Sequence, residues 1–96
     1  MKGYLVAHIE VHDPAGFEAY RDRVSPLVAR FGGRYLIRGG TAHPDEGEWR
    51  IPRLVVIEFD NLDAARTFYH SPEYQEILPL RLKSSHGTAA FVEGVA

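Results

Sequence analysis

The stretch Arg53 to Phe59 (RLVVIEF) limits what this chain can become more than any other. It is an almost unbroken apolar run, short and rich in β-branched residues, so it reads as a strand buried on both faces. A sheet built around such a strand must be covered on both sides. A chain of 96 residues has to supply both covers or recruit one of them.

The other periodicities supply helices for one side only. Tyr4 to Val11 (YLVAHIEV) is a first strand. Asp13 is placed to cap a helix that has Pro14 at its first position. Phe17, Tyr20, Val24, Leu27, Val28 and Phe31 then recur at helical spacing, with Pro26 expected to kink the helix or break a hydrogen bond, until Gly32-Gly33 stops it. Arg34 to Arg38 (RYLIR) is a second strand ended by Gly39-Gly40. Thr41 to Pro52, with Pro44 and Gly47, is a long hairpin connection into the third strand at Arg53. Asp60 or Asn61 caps a helix carrying Leu62, Ala65, Phe68 and Tyr69. Ser71-Pro72 restarts it with Tyr74, Ile77 and Leu78, and Pro79 disturbs it again. A last strand is expected near Ala89 to Glu93, after Gly87.

The order β-α-β-β-α-β over residues 1–96 predicts a single α+β domain, a ferredoxin-like sandwich with a four-stranded antiparallel sheet and its helices on one face. Right-handed crossovers put the third strand between the first two and the first strand beside the fourth. Alternation along the strands then sorts the side chains. The odd positions Leu5, Ala7, Ile9, Val11, Tyr35, Ile37, Val55, Ile57 and Phe59 are expected to face the helices. The even positions carry an apolar middle (Val6, Leu36, Leu54, Val56) ringed by Tyr4, His8, Glu10, Arg34, Arg38 and Glu58. The simplest cover for that second face is the same face of a second copy, so a homodimer is expected.

The ionisable groups on the even face are the candidates for chemistry. Glu10 and Arg38 are placed to converge across Leu54, either as a structural ion pair or with Arg38 receiving an anionic ligand through its guanidinium fork. His8 is either a hydrogen-bonded core group or a general base. Leu36, Leu54 and Val56 would line the same pocket, and Trp49 in the hairpin connection would lid it or pack on the partner. Arg34 and Glu58 are placed for a cross-strand salt bridge. The pair His8-x-Glu10 has no third ligand at a telling spacing, so no metal site is assigned, and no cofactor. His12, His43, His70 and His86 read as solvated. The absence of cysteine removes thiolate metal sites and cysteine catalysis. Eleven basic against thirteen acidic residues give neither a nucleic-acid footprint nor a polybasic membrane anchor. With no spanning run or signal-peptide pattern, the expected location is cytoplasmic.

The run Gly32-Gly33-Arg34-Tyr35-Leu36-Ile37-Arg38-Gly39-Gly40, then Trp49, Arg53 to Phe59, Ala65, Phe68-Tyr69 and Ser71-Pro72-Glu73-Tyr74-Gln75 resembles domain-of-unknown-function family 1330 (DUF1330) over nearly the whole chain. The resemblance implies a dimeric α/β barrel of two ferredoxin-like sheets and brings no established substrate. Its wider superfamily includes cofactor-independent monooxygenases, haem-degrading enzymes, muconolactone isomerases and dye-decolorising peroxidases, and a shared fold transfers none of these chemistries by itself. The functional expectation is therefore a small-molecule pocket enclosed by the dimer, taking a small, partly apolar anionic metabolite. Within it, His8 or Glu10 would act as base and Arg38 as electrostatic stabiliser, without a cofactor. A non-catalytic ligand-binding or regulatory dimer is the alternative, and a haem-handling or antibiotic-biosynthesis-type monooxygenase a further one.

Overall fold

The computed structural model describes residues 1–50 and 53–96; the end of the predicted hairpin connection, Ile51 and Pro52, lies outside the described residues. The elements follow the predicted order: β1 (Gly3–Val11), α1 (Pro14–Arg30), β2 (Arg34–Gly40), β3 (Leu54–Phe59), α2 (Leu62–Tyr69), α3 (Pro72–Ser84) and β4 (Ser85–Glu93). The sheet is antiparallel in the order β2-β3-β1-β4, the arrangement of a ferredoxin-like fold.

Short polar side chains start each helix by satisfying backbone donors that lack intrahelical partners. Asp13 accepts from the Gly16 N–H at 3.2 Å, Asn61 from Ala64 at 2.8 Å and Ser71 from Tyr74 at 3.1 Å. Both internal prolines are carried within continuous helices. Pro26 cannot donate to the Asp22 carbonyl, and Asp22 lies on the exposed side of α1, where water can take that role. β4 begins earlier than expected: α3 ends at Ser84 and the strand starts at Ser85 with no loop between. The Ser84 carbonyl accepts from the N–H groups of His12 and Asp13, tying this junction to the end of β1.

The core lies between the sheet and the helices. Leu5, Ala7 and Ile9 of β1 and Ile57 and Phe59 of β3 are buried there, against Phe17, Tyr20, Val24 and Val28 of α1 and Tyr74 and Ile77 of α3. Phe68 is the aromatic centre, with ring centroids 4.8 Å from Tyr74, 5.4 Å from Phe59 and 5.9 Å from Phe31.

One strand departs from simple alternation. Arg34 pairs with Glu58 and Tyr35 with Ile57, but Ile37 then pairs with Val56 and Arg38 with Val55. The extra residue at Leu36 is a β-bulge that inverts which face Ile37 and Arg38 meet, and a second shift at Gly39 follows before Gly40 pairs with Leu54. Ile37, expected among the helices, joins the open face and is 38% exposed; Arg38, expected on the open face, turns toward the helices.

Truncating Phe68 to alanine removes the ring on which three others pack. Phe68→Ala is expected to cost about 3–5 kcal/mol of unfolding free energy, measured by urea titration.

Candidate functional site

The bulge turns Arg38, itself exposed, toward a narrow cleft between the sheet and the helices with a cavity volume of about 50 Å³. Its walls are apolar and aromatic, from Ile9 and Val55 on the sheet to Phe17, Tyr20 and Tyr74 on the helices. Into this surface come four arginines: Arg21 from α1, Arg38 from β2, Arg53 just before β3 and Arg81 from α3. No carboxylate lines it, and none of the four makes a salt bridge among the described residues, whereas Arg23, Arg30, Arg34 and Arg50 each have one.

Each guanidinium is set by its surroundings. Arg38 stacks 4.7 Å from the Tyr35 ring centre and donates to the Ser25 hydroxyl on α1. Arg53 lies 5.2 Å from the centre of the Phe17 ring, and its backbone carbonyl accepts from the Ile9 N–H at 2.9 Å. Gly39 makes room for it: its φ is +74°, and a Cβ there would sit 2.6 Å from the Arg53 Cζ. Burial first, then the charges of Arg21 and Arg38, push Arg53 below the usual arginine value. Arg81 is the deepest, only 7% exposed. The Nε atoms of Arg53 and Arg81 are both buried without a hydrogen-bond partner, a costly arrangement for a charged group.

Beside Arg81, the hydroxyls of Tyr20 and Tyr74 meet at 2.9 Å between α1 and α3. Burial, then Tyr74, drives the Tyr20 hydroxyl well above its ordinary range, so it stays protonated. Two hydroxyls hold two protons and one serves the bond between them, leaving one donor for a third group. The cleft therefore offers several cationic donors and one neutral donor around an apolar centre. That suits an anion, or an oxyanion formed during a reaction.

The residues picked out from the sequence are divided by the sheet. His8 pairs with Leu54 and Thr88, and Glu10 with His86, on the open face with Arg50 nearby in a shallow hollow. The expected convergence of Glu10 with Arg38 across Leu54 does not occur, because the bulge sends Arg38 through to the other side. Leu54 and Val56 remain half-buried on the open face, and Leu36, also read as a pocket wall, is 49% exposed. Trp49 is equally exposed and lies against the His43–Glu46 stretch. Among the described residues no group of three histidine, aspartate or glutamate side chains is placed to hold a metal ion. The predicted Arg34–Glu58 pair is present: Arg34 contacts Oε1 at 2.6 Å, and Tyr4 donates to Oε2 at 3.0 Å.

Arg21, Arg53 and Arg81 were missed, and Tyr20 and Tyr74 were read as core residues. Arg53 was legible, because it has the odd parity of Val55 and Ile57, which face the helices. Arg81 follows Tyr74 and Ile77 at intervals of seven and four on the buried stripe of α3.

The DUF1330 model, described as a domain of unknown function, matches residues 2–95, and the chain belongs to that family. No curated protein matches its sequence. Among solved structures it is similar to RPA0582, a protein of unknown function from Rhodopseudomonas palustris, with a TM-score of 0.77 and 13% identity over 99% of this chain and 83% of that one. It is similar to SnoaB, a cofactor-independent oxygenase from Streptomyces nogalater, with a TM-score of 0.66 and 18% identity over 99% and 94% of the two chains. It is also similar to a dimeric protein of unknown function with a ferredoxin-like fold from Bacteroides fragilis, with a TM-score of 0.65 and 14% identity over 97% and 96%. At these identities the likeness is one of fold.

The Glu58 carboxylate provides a pH test. Burial raises its pKa, but the hydrogen bonds from Tyr4 and Arg34 and the Arg34 charge outweigh burial and hold it below the usual value. A carboxylate depressed in the folded state adds stability that is present above its unfolded pKa and lost as pH falls through the folded one. Glu58→Gln should therefore lower the Tm at neutral pH, and the deficit should shrink as the pH is taken below the ordinary glutamate range. Thermal melts of both proteins across that range check it.

Proposed function

We propose that this protein binds a small, partly apolar anion in the cleft between sheet and helices of each subunit. The observation that carries the reading is the set of four arginines around an aromatic cavity with no carboxylate to neutralise them. Arg81 is buried and Arg53 partly so, and a buried charge needs a partner that no carboxylate lining the cleft supplies; Arg21 and Arg38 are exposed. A carboxylate or an enolate matches the guanidinium fork, and the tyrosine pair can donate to a second oxygen. Similarity to a cofactor-independent oxygenase supports an enzymatic version of this reading, with the arginines and the spare tyrosine proton stabilising an oxyanion of the bound molecule.

We propose further that the open sheet face is covered by a second copy, which closes the two sheets into a barrel. Val6, Leu36, Ile37, Leu54, Val56 and Val92 give it an apolar surface for which the chain has no remaining helix. The dimeric Bacteroides fragilis neighbour supports this pairing. His8, Glu10 and Trp49 then belong to the contact between copies, and the ligand lies inside each subunit rather than between the two.

Two experiments test these readings. A screen of small aromatic and aliphatic carboxylates by thermal shift should raise the Tm of the unaltered protein. Arg38→Met and Arg53→Met should each weaken binding roughly 10- to 100-fold, as expected for a lost charge-assisted hydrogen bond; unchanged binding in both would remove the cleft from consideration. Val56→Glu puts a charge in the apolar face and should convert a dimer to monomer in light scattering, or unfold it. A monomeric unaltered protein would overturn the pairing.

A further inference from the structure

We infer that the pairing of two copies through the open sheet face is controlled by pH: each copy brings a cluster of histidines to that contact, and protonating them drives the copies apart. The inference rests on the dimer reading above and adds the regulation of that dimer.

The cluster is assembled at one end of the sheet. In the ladder between β1 and β4, His8 stands opposite Thr88 and Glu10 opposite His86. His8, Glu10 and His86 share a shallow hollow on the open face with Arg50. His12, just past the end of β1, stacks on His86 with ring centroids 4.6 Å apart. The cluster is continuous with the apolar patch, because His8 also stands opposite Leu54 of β3. A cover seated on the half-buried Val6, Leu54 and Val56 therefore meets His8 at once.

Few charges oppose the cluster. Glu10 is the one carboxylate lining the hollow among the described residues. Arg50 is already paired with Glu48 at 3.1 Å. Asp13, next after His12, has its carboxylate on the Gly16 N–H at 3.2 Å, and α3 brings a further cation, Lys83, to its last turn before β4. With the imidazoles neutral, the hollow carries no excess of positive charge. With them protonated, His8, His12 and His86 face a single free carboxylate, and the stacked pair repels itself. A two-fold contact contributes every residue twice, so the same excess comes from the partner. Like charge beside a desolvated apolar patch opposes association. Histidine is the side chain that makes this change near neutral pH.

The test is sedimentation equilibrium of the unaltered protein at about pH 8 and about pH 5.5, values on either side of the ordinary histidine range and above the ordinary carboxylate one. The dimer dissociation constant should rise roughly 10-fold or more at the lower pH, with circular dichroism showing folded subunits at both. The triple substitution His8→Gln, His12→Gln and His86→Gln should keep the dimer equally tight at both values. Glu10→Gln, which removes the opposing charge, should enlarge the rise. Equal affinity of the unaltered protein at both values, or an undiminished rise in the triple variant, would overturn the pH control and leave the dimer standing. A monomer at both values would overturn both readings. Should the triple variant fail to fold, His86→Gln alone, at an exposed position between Glu10 and His12, should reduce the rise, and an unchanged one would overturn the inference.

Discussion

Glu58 holds three strands in register. Its carboxylate takes Tyr4 of β1 on one oxygen and Arg34 of β2 on the other, so the two neighbours of β3 are pinned at the same level. From that level β2 runs along β3 for two pairs and then gains a residue. With the register pinned, the extra residue is absorbed by a bulge and not by sliding of the strand. The bulge turns Arg38 to the helix side and leaves Leu36 and Ile37 on the open side. The cleft's arginine and the apolar residues of the opposite face both follow from this bulge, which lies directly after the Arg34–Glu58 level.

The fold was legible because its signals are local and repeat. Asp13-Pro14 and Ser71-Pro72 mark helix starts by capping chemistry, the α1 stripe marks its buried side, and two crossovers leave one simple strand order. The Arg34–Glu58 pair was legible as well, since it lies before the irregularity in β2. The location of the site was not. Strict alternation assigns Arg38 to the same face as Glu10, and nothing in the side chains around Leu36 announces a bulge. Arg81 was passed over for a different reason. An arginine in the last turn of a helix is ordinarily a solvated partner of the helix dipole, and only the packing of α3 on the sheet shows this one to be buried.

The two sides of the sheet have different tasks in this reading. The helix side joins an aromatic core to a cleft that four arginines line, one of them buried. The open side carries aliphatic residues with His8, Glu10 and His86 toward one end. Because β-strand side chains alternate, substitutions that tune one side leave the other largely untouched.

The junction of α3 with β4 has a mechanical consequence. Ser84 is the last residue of the helix and Ser85 the first of the strand, the Ser85 hydroxyl donates to the Arg81 carbonyl at 2.6 Å, and the Ser84 carbonyl is held by the end of β1. There is no slack here to act as a hinge. The wall that carries Tyr74 and Arg81 is fixed to the sheet, like the anvil of a clamp. Any movement of the cleft walls must come from the other side, where α1 carries Arg21, the end of β2 carries Arg38 and Arg53 precedes β3.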